Sequence, residues 1–195
     1  MGWLTDLDRG FFDLVFPRDC AVTQEPMDDD ARLHLSAAGV ALLPRIGDPR
    51  CLTCGHPFEG ILEGDRACPH CLDLRPAFGR AVCAFRARGP ARRIVHRIKY
   101  ERCPFLADDL VAGCRAEPLL RKQHETISQT RLGRQERRKN VAGAFTLDDG
   151  KSVDPATRYV VIDDVLTTGA TLHACAIALR KAGAEGVDAA ALCHG

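Results

Sequence analysis

Long apolar runs are missing from this chain. No stretch approaches the roughly 18 consecutive apolar residues that a membrane helix needs, so membrane insertion is not expected. Its first residues, MGWLTDLDRGFFDLVF, carry acids where an export leader carries bases, and a cytoplasmic location is the expectation. Met1-Gly2 opens like a myristoylation signal, but Asp6 stands where Ser or Thr is required. Aromatic residues are sparse, with one Trp, two Tyr and eight Phe, which argues against a base-stacking platform for single-stranded nucleic acid. Internal repeats and low-complexity tracts are not legible.

Net charge is also nearly absent, at +1 over 195 residues, yet the charges are segregated. Residues 1–75 hold 7 Lys/Arg against 13 Asp/Glu, residues 76–139 hold 16 against 6, and residues 140–195 hold 4 against 7. The middle of the chain either draws an anion or presents solvated helix faces. Length and a 46% hydrophobic content allow one main domain with a small appended module.

Trp3, Leu4, Leu7, Phe11, Phe12, Leu14 and Val15 put an amphipathic helix at residues 1–19. Residues 20–76 are rich in Pro, Gly, Asp and Cys without a regular period, as in a module held by something other than an apolar core. From Gly79 the texture changes. RAVCAFR reads as a strand, GPARRIVHRIKY as a helix opened by Pro90, and further helical turns follow Pro104. VAGAFTL and residues 159–162 read as strands, a helix runs from about Ala170 to Ala182 with Gly183 closing it, and GVDAAALC is the last strand. Strands alternating with helices imply parallel βαβ units. The expected division is a cysteine-rich module over 1–76 and an α/β domain over 77–195.

Ten cysteines without an export signal read as metal ligands plus buried thiols. Cys51-x2-Cys54 and Cys68-x2-Cys71 bring four thiolates to one point, the pattern of a structural Zn²⁺ with no open coordination position. Cys20 lacks a CxxC partner because Thr23 occupies that place. Cys83, Cys103, Cys114, Cys175 and Cys193 are scattered and fit buried small hydrophobes. His56, His70, His96 and His173 are expected to pack or to be solvated.

The stretch VVIDDVLTTGAT places a polar turn between a buried strand and a helix N-terminus, whose free N–H groups and dipole suit a phosphate. Thr167, Thr168 and Thr171 add hydroxyl donors, and Gly169 lets the backbone approach the anion without a side chain between them. Asp163 and Asp164 just upstream would repel that phosphate unless they held something else. A ribose diol supplies two donors to ionised carboxylates, and a divalent cation would also relieve the repulsion. A ligand with sugar hydroxyls beside a 5-phosphate describes phosphoribosyl diphosphate.

This stretch resembles the binding motif of type I phosphoribosyltransferases. Together with the N-terminal cysteine module, IKY at 98–100 and QTRLGRQERRKNVAGAF at 129–145, the chain is similar to the ComF family, competence-associated phosphoribosyltransferase-like proteins of bacteria. The resemblance implies a parallel sheet flanked by helices, with Asp163 and Asp164 on the ribose and Thr167, Thr168, Gly169, Ala170 and Thr171 around the 5-phosphate. It further implies Mg²⁺ with the diphosphate, transfer of the phosphoribosyl group to an acceptor, and Arg137 or Arg138 on pyrophosphate or nucleic-acid phosphate; Lys99, on the helix at 90–100, either joins them or lies on a solvated face.

Two departures stand out. Cys20 looks like the remnant of a first cysteine site. More seriously, Glu117-Pro118-Leu119-Leu120 directly follows the helical segment, where the family carries a strand and an arginine-rich segment leading to the pyrophosphate loop. The competing expectation is therefore a non-catalytic accessory in DNA uptake that binds a phosphoribosyl group, single-stranded DNA or competence proteins.

Overall fold

The computed structural model describes residues 19–27, 34–60, 67–101, 106, 116–123 and 143–195. The helix expected before residue 19, the part of the expected turns after Pro104 that falls at 107–115, and the basic stretch with Arg137 and Arg138 lie outside these residues. By contacts the chain divides into two compact units. The first comprises residues 1–44 and 88–115, the second residues 45–87 and 116–195.

The second unit holds a three-stranded parallel sheet ordered β1-β5-β4. β1 is Ala81–Arg86, β4 is Arg158–Leu166 and β5 is Gly186–His194. Branched and aromatic residues at 159–162 favour extended backbone. The strand nevertheless runs on through Asp163 and Asp164 to Leu166, beyond the expected end, because β5 pairs with it as far as Leu166↔His194. α4, Ala170–Lys181, is the crossover that parallel neighbours require. It ends in a Schellman motif: Ala184 N–H donates to Leu179 O, Gly183 N–H donates to Arg180 O, and Gly183 takes φ +109°.

Leu172, Ala176 and Leu179 of α4 pack with Ala81, Cys83, Val187, Ala189 and Ala191 of the sheet. Val82, Val160 and Ile162 remain exposed. A short antiparallel ribbon pairs β2, Leu120–Lys122, with β3, Phe145–Leu147. β2 corrects the reading of residues 104–123 as helical turns: its residues are extended because Phe145–Leu147 pair with them. Phe145 sets the ribbon beside the start of α4 by packing on Ala170 and Ala174.

The same unit contains a knuckle built from residues 50–60 and 67–74. Cys51 N–H donates to His56 O, Gly55 N–H donates to Cys51 O, and Gly55 takes φ +73°. Cys68, at φ −71° and ψ 160°, caps α2, Pro69–Leu74, and its N–H donates to Cys51 Sγ at 3.3 Å.

In the first unit, residues 19–27 and 34–41 repeat this geometry. Cys20 N–H donates to Glu25 O, Gln24 N–H donates to Cys20 O, and Gln24 takes φ +60°. Ser36, at φ −69° and ψ 160°, caps α1, Ala37–Ala41, and its N–H donates to Cys20 Sγ at 3.3 Å. Even the flanking bridges match, Asp19↔Pro26 against Arg50↔Pro57. The expectation of no internal repeat is thus corrected. In the first copy Cys20, Thr23, Ser36 and Gly39 stand where the second has Cys51, Cys54, Cys68 and Cys71.

The first unit also contains α3, Gly89–Tyr100, opened by Pro90 and burying Ala91, Ile94 and Val95 at helical spacing. Arg92, Arg93 and Lys99 are exposed, and Arg97 pairs with Glu101 at 3.6 Å.

Candidate metal knuckle and anion-binding turn

Four buried sulfurs converge in the second unit. The Sγ atoms of Cys51, Cys54, Cys68 and Cys71 all lie within 4.8 Å of one another, with Cys51–Cys71 at 3.9 Å and Cys54–Cys68 at 3.4 Å. Zn–S bonds of about 2.3 Å in a tetrahedron place sulfurs about 3.8 Å apart, so the cluster fits Zn²⁺ with little adjustment. Its electrostatics also call for a cation. Burial disfavours the Cys51 thiolate, but N–H groups of Cys68, Cys54 and Thr53 outweigh that and bring it down to about 7. Burial pushes Cys54 up, and pushes Cys71 up to about 12. A divalent ion compensates the charge of several thiolates at once. Four thiolates leave no open position, so the site could hold a structural zinc ion. Among the described residues, this is the group of three or more ligating side chains that could hold a metal.

Three histidines cluster near these sulfurs. The His56 ring lies 5.4 Å from His70 and 4.9 Å from His194, edge to face in both cases. Burial, then the charge of His56, pushes His194 down to about 4, so it is neutral at ordinary pH. Sequence reasoning missed His194. At the end of an apolar strand it gave no signal beyond its polarity.

The turn between β4 and α4 is built as follows. Gly169 caps α4 with φ +72°, and His173 N–H donates to Gly169 O at 2.9 Å, closing the first helical turn. The N–H groups of Ala170, Thr171 and Leu172 therefore have no intrahelical acceptor. Thr168 Oγ1 accepts from Ala170 N–H at a long 3.3 Å, a contact that an incoming anion can displace. Thr167 is exposed, Thr168 and Thr171 half-buried, and Gly169 and Ala170 buried.

Asp163 and Asp164 are both half-buried within β4. Neighbouring strand residues point to opposite faces. The Asp163 carboxylate is close enough to help raise Cys175, after burial, to about 12, and that of Asp164 acts likewise on Cys193. Asp163 Oδ1 also accepts from Asp164 N–H at 2.9 Å, which fixes the pair relative to each other.

The structure thus brings Asp163, Asp164 and residues 167–171 into one continuous strand, turn and helix start. The four cysteines gather in the same unit. Lys99 lies in the other unit, on the last turn of α3.

No family model matches the chain. Seventy of its residues are 36% identical to Competence protein F of Haemophilus influenzae. That stretch amounts to 36% of this chain and 31% of the relative, so the similarity spans about a third of the relative's length.

Proposed function

We propose that the protein is a ComF-type, phosphoribosyltransferase-like protein. It binds phosphoribosyl diphosphate through the β4–α4 turn and passes the phosphoribosyl group to an acceptor. The observation that carries this is Gly169 in the left-handed conformation at the head of a twelve-residue helix, immediately after a strand bearing two carboxylates. The N–H groups of Thr171 and Leu172, that of Ala170 once released from Thr168 Oγ1, and the Thr167, Thr168 and Thr171 hydroxyls would take the 5-phosphate. Asp163 and Asp164 would accept from the ribose hydroxyls. Two carboxylates suit a Mg²⁺ that arrives with the diphosphate and keeps several waters. The partial likeness to Competence protein F supports the competence side of the reading. On this view the cysteine module ends near residue 76 and the α/β domain follows.

A second reading is binding without turnover. Among the described residues β4 pairs on one side only, with β5. No described segment stands where the superfamily carries the strand leading to its pyrophosphate loop. On this reading the charge developing on a departing pyrophosphate would go without the donors of that loop, each worth about 3 kcal/mol of barrier.

Calorimetric titration with Mg²⁺-phosphoribosyl diphosphate, run beside a pyrophosphate-release assay over purine, pyrimidine and amine acceptors, separates the two. Saturable binding that Asp163→Asn and Asp164→Asn weaken, with pyrophosphate released, supports transfer. The same binding without release supports the accessory. Absence of binding removes both, and salt-dependent binding to single-stranded DNA that survives both substitutions would move the function to the basic middle of the chain.

A further inference from the structure

Resting on the reading of the β4–α4 turn as a phosphate seat, we propose that the four-cysteine knuckle braces that turn. A metal held by Cys51, Cys54, Cys68 and Cys71 would then set both the rigidity of residues 167–173 and their affinity for a phosphorylated sugar.

α2 has six residues, too few to hold a helical conformation by themselves. Two of the four ligands lie in it or cap it, Cys68 at the N-cap and Cys71 one turn on. Ligation at these positions therefore decides whether α2 is formed. Its last residue, Leu74, lies behind the turn, with Cδ2 3.2 Å from where a Cβ on Gly169 would stand. Phe78 Cζ is 4.0 Å from the same point.

Between these two side chains the backbone is bound to α4 from both of its polar groups. Ala77 N–H donates to His173 Nδ1 at 3.0 Å, and Arg180 Nε donates to Ala77 O at 2.6 Å. Phe78 and Leu166 share one buried cluster with the four cysteines, and both line a small cavity together with Leu74 and residues 167–169.

Little slack separates the two sides. A cavity of about 10 Å³ lies between Cys54, Cys71 and Leu74 on one side and Thr168 and Gly169 on the other, room for about one water. His194 borders it, 5% exposed, and Nε2 has no hydrogen-bond partner among the described residues. A single bridging water would satisfy that nitrogen. A shift of α2 cannot be absorbed by a gap of this size, so it passes to Gly169.

The test compares full-length protein loaded with zinc, stripped by a chelator under reductant, and reloaded, alongside Leu74→Ala. Hydrogen exchange over residues 163–175 reads the turn directly, and calorimetry with ribose 5-phosphate and with inorganic phosphate reads the seat. Stripping is expected to speed exchange at 167–173 at least tenfold and to weaken ribose 5-phosphate binding by a similar factor, with both reversed on reloading. Leu74→Ala is expected to keep one zinc per chain and still loosen the turn.

Unchanged exchange at 167–173 while the knuckle itself loses protection would overturn the proposal. Full protection of the turn in Leu74→Ala would do the same, and this variant decides the matter if stripping unfolds the whole chain. A zinc-loaded protein that binds neither probe, but whose turn still answers to the metal, would retain the brace and remove the phosphate reading.

Discussion

Ala77 and His173, 96 residues apart, are joined by a hydrogen bond in which the Ala77 N–H donates to His173 Nδ1 at 3.0 Å. The ring nitrogen can accept only while unprotonated, which places the proton of the neutral imidazole on Nε2. His173→Ala removes the acceptor and leaves a partly buried N–H without it. The expected loss is about 1–2 kcal/mol in urea unfolding. Cys51, Cys54, Cys68 and Cys71 are untouched, so zinc content should stay at that of the parent protein.

Gly169 is expected to be intolerant for two separable reasons. At φ +72° any side chain meets the left-handed penalty of about 1–2 kcal/mol, and a Cβ would also press on Leu74 Cδ2 at 3.2 Å. Gly169→Ala should therefore lower stability by at least that penalty. The double variant Gly169→Ala with Leu74→Ala should recover the steric part and leave the backbone part. Denaturant unfolding of the four proteins in this cycle gives the partition.

Much of the β4–turn–α4–β5 unit can be read from the chain, because branched residues, a Gly-Thr turn and an alanine-rich helix agree locally with the final fold. The cysteine quartet is legible from spacing alone. What escaped depends on distant partners. Asp163 and Asp164 disfavour extended structure on local preference, yet the ladder to Ala191 and Cys193 carries β4 past them. Leu120, Arg121 and Lys122 form a strand only because Leu147, Thr146 and Phe145 pair with them. The repeat of 19–27 and 34–41 in 50–60 and 67–74 is hidden because three of its four key side chains differ and Gln24 replaces Gly55 in the left-handed position.

Cys20 gives a pH-dependent contribution to stability. Burial alone would raise its thiol, but hydrogen bonds from Ser36 and Thr23 outweigh that and bring it from 9.0 down to about 6. A group whose folded pKa is depressed adds stability that is fully present above its unfolded pKa and disappears as pH falls through the folded one. The Cys20 contribution should therefore be complete above about 9, decline between 9 and 6, and vanish below 6. Unfolding free energies of the parent and of Cys20→Ala, measured with zinc held constant, should differ more at pH 9 than at pH 6. A difference that is flat across this range would show that the thiol is not held as a thiolate.

The first knuckle should take a metal if cysteines are placed at 23, 36 and 39 beside Cys20. Its backbone already matches the second copy in the cap at Ser36, the left-handed residue at 24, and the N–H donated to Cys20 Sγ at 3.3 Å. Thr23, Ser36 and Gly39 differ from cysteine by side chain alone. In the present fold Cys20 Sγ fills the space left by the missing side chain at Gly39, 2.5 Å from where a Cβ would sit. A cysteine there forces Cys20 to turn about χ1, a move that four thiolates gathering on one ion would favour. Elemental analysis is expected to give one zinc per chain for the parent and two for Thr23→Cys/Ser36→Cys/Gly39→Cys, with the second lost again on Cys20→Ser. One zinc in the triple variant would mean that the likeness of the two knuckles stops short of the distances a metal needs.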